Sequence, residues 1–344
     1  MFRVPLFVLA LLCSWSLQAQ DYSDSPWHIP ATDIDPNNYY GITVANGVVG
    51  IVSSPEPMKI QDVVLNGVYD YYQRGRVSNI LKTFNHMNLD LDVDGRRISR
   101  RDISDFQQVL DMREGQLITT FKVGADAQVT HRLMSLRHLP YTAMSIVEVT
   151  AQRDLEITAI STIEAPNHLN DVRNYYAEID RPHAMVPLMT SVADSPSGKQ
   201  KVAASVSFIF EEEHGQEPDL IHEDWDYNRH LTKFRKSLKA GETYTFSVVG
   251  STCASRQFED PHNEAERLTI FAQLEGRERE HPRRHLSQQI SARMSGTAHW
   301  RSGDAENELR AMECALRREP EGRRQKEKRK TGQHSATLFR GQDV

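Results

Sequence analysis

From about residue 40 to residue 250, short β-branched and aromatic runs alternate with turn signals, and few helical stripes interrupt them. That pattern leaves little room for anything but an antiparallel β-fold. Ile42-Thr43-Val44-Ala45 and Val48-Val49-Gly50-Ile51-Val52 flank an Asn46-Gly47 turn, the pairing expected of a hairpin. Leu89-Asp90-Leu91-Asp92-Val93 alternates strictly and ends at Asp94-Gly95, a second hairpin signature. Residues 128–135, 142–150, 155–163, 202–210 and 244–249 continue the pattern, with Lys239-Ala240-Gly241-Glu242 as the turn before the last. An antiparallel sandwich or barrel of more than 200 residues is the expected all-β fold, inside a chain of 344 residues.

Asp260-Pro261-His262-Asn263 followed by Glu264-Ala265-Glu266 reads as a helix start, because early acidic residues suit the positive end of a helix. Leu268, Phe271, Ala272 and Gly276 share one face of it, and it reads as a linker leaving the β-domain over 260–279. Beyond it the material changes. Residues 276–344 carry about 16 Lys and Arg against about 10 Asp and Glu, in a chain whose net charge is −6. After residue 276 the only Ile or Val residues are Ile290 and Val344, so residues 280–344 read as a disordered basic tail.

At the other end, Met1-Phe2-Arg3 and the apolar run Pro5–Leu12, too short to span a bilayer, precede Leu17-Gln18-Ala19. A signal peptide over 1–19, cleaved near Ala19, is expected, which predicts a periplasmic or secreted protein with no membrane attachment afterwards. Leu11-Leu12 before Cys13 is unlike a lipobox, where a small residue stands next to the cysteine. An oxidising compartment permits a Cys253–Cys314 disulfide, but one lies in a strand-like run and the other in the tail, which argues against the pair.

The densest polar and aromatic cluster runs from His222 to His230. Its spacing is not that of a zinc protease helix. Trp225 and Tyr227 beside Asp224 and Arg229 suit a carbohydrate, since aromatic faces stack on pyranose C–H groups and charged side chains bind hydroxyls; a solvated loop is the plainer reading. Tyr40 and Arg76, in Asn38-Tyr39-Tyr40-Gly41 and Arg74-Gly75-Arg76, are weaker candidates of the same kind. Asp90-x-Asp92-x-Asp94-Gly95 imitates half of a calcium loop, but Arg97 and Arg101 stand where an apolar residue and a Glu are needed, so it reads as the solvent face of a strand and its turn. Nucleotide loops and the Gly-x-Ser-x-Gly elbow are absent. The sequence therefore implies no metal, no cofactor and no nucleic-acid partner.

Several segments in order carry a resemblance: residues 36–47, 50–57, 74–79, 174–183 and 263–268, among them Asn174-Tyr175-Tyr176-Ala177-Glu178 and Asn263-Glu264-Ala265-Glu266-Arg267-Leu268. Together they resemble the N-terminal domain of glycoside hydrolase family 65, over about 25–279, and most of all its exported Bacteroidetes-type α-glucosidases. The resemblance implies a large antiparallel two-sheet β super-sandwich, galactose mutarotase-like, then a helical linker and an (α/α)6 barrel. That barrel would hold a Glu general acid for inverting cleavage of α-glucosides such as the α-1,2-linked kojibiose. No position here matches that Glu, so none is assigned as catalytic. Coincident changes in similarity, Val and Ile content and charge near residue 276 suggest a tail read in the wrong frame; a genuine basic appendage is the competing reading. The expected role is thus the non-catalytic domain of a glucosidase, acting on an α-glucoside in the intact enzyme. A free-standing carbohydrate-binding or homodimerising β-domain is the alternative.

Overall fold

The computed structural model describes residues 25–278, apart from 72–76, 182–183, 213–214 and 227. The expected signal peptide, the tail from 280, Arg76 and Tyr227 lie outside the described residues. In chain order the strands are β1 His28–Ala31, β2 Thr43–Ala45, β3 Val49–Ser53, β4 Ile60–Tyr71, β5 Ser78–Lys82, β6 Asn85–Val93, β7 Arg96–Arg97, β8 Ile103–Asp111 and β9 Gln116–Val123. They continue as β10 Ala127–Ser135, β11 Thr142–Ala151, β12 Leu155–Glu164, β13 Asn170–Arg181, β14 Ala184–Asp194, β15 Lys201–Phe210, β16 Ile221–Asp226, β17 Arg229–Leu238 and β18 Thr243–Ala254, before helix α1 Pro261–Glu278.

Every strand pairing is antiparallel, as the turn signals required. One layer is a nine-stranded sheet in the order β1-β8-β9-β10-β11-β18-β15-β14-β13. The expected second sheet is divided into two ladders, β16-β17-β12-β6-β7 and β2-β3-β4-β5, which meet through β4 and β6 and both face the first layer. The fold is an antiparallel β-sandwich with a single α-helix among the described residues.

Core and turns follow from the alternation. Leu89, Leu91 and Val93 point inward from β6, while the residues between them face away from the core. Phe234 of β17 sits edge-on to Phe208, Phe210 and Phe246, with ring centroids 4.9–5.2 Å apart, and clips the five-stranded ladder to β15 and β18. Asp94 and Gly95 both take positive φ, 48° and 76°, which is the backbone that a two-residue hairpin between β6 and β7 needs.

Helix α1 corrects one expectation. Asp260 caps it, its Oδ1 accepting from the Asn263 backbone N–H at 3.1 Å, and Pro261 opens it. Rather than leaving the β-domain, it lies on the outer face of the nine-stranded sheet. Ala265 and Leu268 pack on Val192, Ala203 and Cys253, and Phe271 and Ala272 pack on a patch that includes Met134, Ile146 and Val249. That outer face is apolar at these positions, so burying it stabilises both elements. Cys253 is a free, buried thiol, and burial pushes its pKa up.

Asp70 ties two hairpins together. It is buried at the end of β4 and accepts hydrogen bonds from the Ser197 backbone N–H at 2.9 Å, from the Ser197 hydroxyl and from the Tyr71 N–H. Burial alone pushes its pKa up, but hydrogen bonds from Ser195 and Ser197 outweigh that and hold it at about 2. A carboxylate held below its unfolded value stabilises the fold above that value, and the benefit fades as pH falls through about 2. Asp70→Asn is expected to cost about 2 kcal/mol in urea unfolding at pH 7. An unchanged midpoint would show that the two hairpins hold without this clamp.

Candidate functional site

The outward face of the five-stranded ladder forms an open cleft of about 760 Å³. Period-two geometry places one residue in two of each strand on it. The floor is β12, through Thr158, Ile160 and Thr162. One wall is β6 and its turn, with Asp90, Asp92 and Asp94; the other is β17, with Arg229, Leu231, Lys233 and Arg235, rimmed by Glu223 and Asp226 of β16.

The charges in the walls are largely matched within the protein. Lys59 Nζ lies 2.6 Å from Asp90 Oδ2, and Arg97 bridges Asp90, at 3.0 Å, to Asp92. Asp94 is held below the usual carboxylate range, first by the Glu156 backbone N–H and then by Arg153, whose Nη2 is 2.7 Å away. Lys233 is bonded to Glu223. Arg229 is engaged loosely, its Nε 4.0 Å from Glu164 Oε1. The three aspartates each answer to a cation and do not converge. Among the described residues no group of three or more His, Cys, Asp or Glu side chains is placed to hold a metal ion.

The sequence candidates fall unevenly on this frame. Arg229 lines the cleft, with Asp226 and Glu223 from the same cluster. Asp224 and Trp225 belong to β16, an edge strand and not a loop, whose register with β17 shifts between Asp224 and Asp226. Tyr40 is 90% exposed ahead of β2 and is not a lining residue, so the structure does not bring it together with Arg229. Asp90, expected on a solvent face, is buried under Lys59 and Arg97, whereas the Asp94-Gly95 turn is as expected.

Sequence reasoning missed the floor threonines and the cationic wall. The alternation Arg229-x-Leu231-x-Lys233-x-Arg235 was a signal for one charged sheet face, but Thr158 and Thr162 carry none.

Behind the cleft, the hairpin of β16 and β17 is tied to the first layer by histidines. His222 Nε2 and His230 Nε2 are 2.6 Å apart, His222 stacks on Tyr176 of β13 at 4.2 Å between centroids, and His230 Nδ1 is 3.5 Å from Ser191 Oγ.

The described residues thus form an antiparallel β-sandwich with a polar, solvent-open sheet face. Its sequence matches the model of the glycosyl hydrolase family 65, N-terminal domain, over residues 41–288. The chain belongs to that family. Among curated proteins it is similar to a kojibiose hydrolase of Mucilaginibacter mallensis, 48% identical over 275 residues, and to one of Flavobacterium johnsoniae, 43% identical over 274. Each match covers 80% of this chain, and the chain spans 40% of the length of each relative. The solved structure described as "Putative kojibiose phosphorylase from human microbiome" shares the fold, with a TM-score of 0.62, 11% identity, and coverage of 78% of this chain and 38% of that one.

Proposed function

We propose that this β-domain is the non-catalytic N-terminal domain of an exported, inverting α-glucoside hydrolase acting on α-1,2-glucosides such as kojibiose. The observation that carries it is the 48% identity to a protein named kojibiose hydrolase, over the part of that protein that the domain spans. Cleavage by inversion needs a carboxylic acid of raised pKa facing a carboxylate across the scissile bond. In the cleft, cations pair with Asp90, Asp92, Asp94 and Glu223 in a site open to water. Their chemistry supports binding and positioning rather than bond breaking.

The test takes the protein from the periplasm or medium of its native host, reads its N-terminus and assays glucose release from kojibiose. A mature chain starting at Gln20 and releasing no glucose is the expected result. Turnover by this chain would refute the non-catalytic role, and recovery of Met1 would refute export. Resequencing from the codon of Asn263 onward, translated in all three frames, tests the reading of residues 280–344 as out of frame.

A further inference from the structure

Two Asn-Gly-Val tripeptides stand side by side in the four-stranded ladder: Asn46-Gly47-Val48 in the turn between β2 and β3, and Asn66-Gly67-Val68 in β4. The Asn66 N–H donates to the Val48 carbonyl at 2.8 Å, and Asn66 Nδ2 donates to the Gly47 carbonyl at 3.1 Å. Asparagine followed by glycine is the pair most prone to lose its side-chain amide, because without a Cβ the glycine backbone can bring its nitrogen to the asparagine Cγ. The two sites share their next two residues, so in an unfolded chain their chemistry is alike. The fold alone makes them differ.

Asn46 is locked in place. Its Nδ2 donates to the Leu136 carbonyl at 2.7 Å, and its Oδ1 accepts from the Val48 and Val49 N–H groups, both at 3.0 Å. The half-buried amide cannot turn toward the Gly47 nitrogen without giving up these bonds. Asn66 is exposed, and the bond to Gly47 is the only one its side chain makes among the described residues. Gly67 is exposed too, takes φ 80°, and has nothing within 4 Å of where a Cβ would stand. The register with β3 ends at Leu65 and that with β5 shifts between Val64 and Tyr69, so Gly67 is paired across neither ladder. Exposed backbone outside the ladders is the kind that opens most easily.

We propose that Asn66 is a site of spontaneous deamidation, and that Asn46 is protected from it by the turn that holds it. The Gly67 nitrogen gives its proton to hydroxide and attacks Asn66 Cγ. As that bond forms the Cγ–Nδ2 bond breaks, and Nδ2 leaves as ammonia with a proton from water. Water then opens the cyclic imide, at Cγ to give aspartate or at the main-chain carbonyl to give isoaspartate. In sum, amide and water become acid and ammonia, and nothing is oxidised or reduced. Either product puts a carboxylate where Nδ2 donated to the Gly47 carbonyl. Isoaspartate also adds a methylene to the main chain between the N–H bound to Val48 and the carbonyl that accepts from Gln257 Nε2 at 3.1 Å, ahead of α1.

The full chain, kept in mildly alkaline buffer both native and unfolded in urea, tests this. The incubation lasts until the unfolded sample has converted half of each site, and peptide mass spectrometry reads each asparagine. In urea the two sites should convert alike. In the native protein Asn66 should convert about tenfold faster than Asn46, which the extra hydrogen bonds hold back. Asn66→Gln, whose longer side chain closes an imide ring far more slowly, should abolish the conversion at this position. Asn66→Asp, which reproduces the acid product, should lower Tm by about 3 °C through loss of the bond to Gly47.

Equal conversion of Asn46 and Asn66 in the native protein would overturn the proposal, and so would a native protein in which neither site converts. An unchanged Tm in Asn66→Asp would overturn the consequence drawn for the ladder.

Discussion

Unfolding of the β-domain near pH 5, midway between 6.5 and 4, is expected to take up about two protons, and acidification across that window should remove about 5 kcal/mol of stability. Two histidines are responsible. His86 of β6 and His131 of β10 are buried, and burial pushes each pKa down to about 4 from 6.5. For His86, the Phe84 and Gly250 carbonyls pull the other way without reversing the shift. Both stay largely neutral in the folded protein until the pH nears 4, while the unfolded chain protonates them as pH falls below 6.5. The unfolded state therefore binds more protons, stability rises with pH, and each histidine accounts for about 2.5 kcal/mol. Asp70, whose pKa is held at about 2, contributes its acid loss below this range and does not blur it.

Urea unfolding at half-unit pH steps would read the slope. His131→Gln gives the decisive comparison, because a Gln amide can still meet the Ser145 hydroxyl that lies 2.6 Å from His131 Nε2 but cannot take a charge. The proton uptake should fall from about two to about one in that variant. A slope unchanged by the substitution would show that His131 is not held neutral, and that other groups carry the acid sensitivity.

How much of this was readable beforehand depended on where each strand sits. Strands β10, β11, β12, β15 and β18 were legible because they lie inside the layers, where Val, Ile, Ala and Phe are buried and the hydrophobic period is unbroken. β13 was not, because it is the edge of the nine-stranded sheet and carries Arg173, Asn174, Glu178 and Asp180 where an inner strand would carry apolar residues. β8 and β4 were obscured by irregular backbone: Asp105 takes φ 50° where the register of β8 slips, and Gly67 takes φ 80° within β4.

The cleft was hidden for a different reason. Its floor and walls come from β6, β12 and β17, neighbours in space whose paired residues are about 70 positions apart along the chain. Arg229 could be singled out from its local company. Thr162 could not, because what marks it is its place on the floor, and that is a fact of three dimensions. The helix was legible as a helix, and its docking was not, since the apolar face it covers belongs to residues of β11, β14, β15 and β18.

Gly250→Ala is expected to cost about 3 kcal/mol, near the upper end for overpacking a core by one methyl group. Gly250 lies in β18, in the middle of the nine-stranded sheet, and β6 crosses it from the opposite layer. A Cβ built there would stand 2.7 Å from His86 Cδ2, 3.0 Å from Val206 Cγ2 and 3.1 Å from the Ser205 carbonyl oxygen. The last belongs to the backbone of β15, which is hydrogen-bonded to β18 and cannot retreat without breaking the ladder. The glycine is thus a place where the two layers approach closely around a buried imidazole.

This links the second prediction to the first. Pushing the His86 ring away would loosen the contact that keeps it dry, so the pKa of His86 in Gly250→Ala should move back toward 6.5 and the acid slope should become shallower. A double-mutant cycle with His86→Ala would isolate the contact: removing the ring should recover part of the cost and leave the share due to Val206 and Ser205. Additive effects of the two substitutions would mean that the added methyl group is accommodated without touching His86, and that the layers are less tightly apposed there than these distances require.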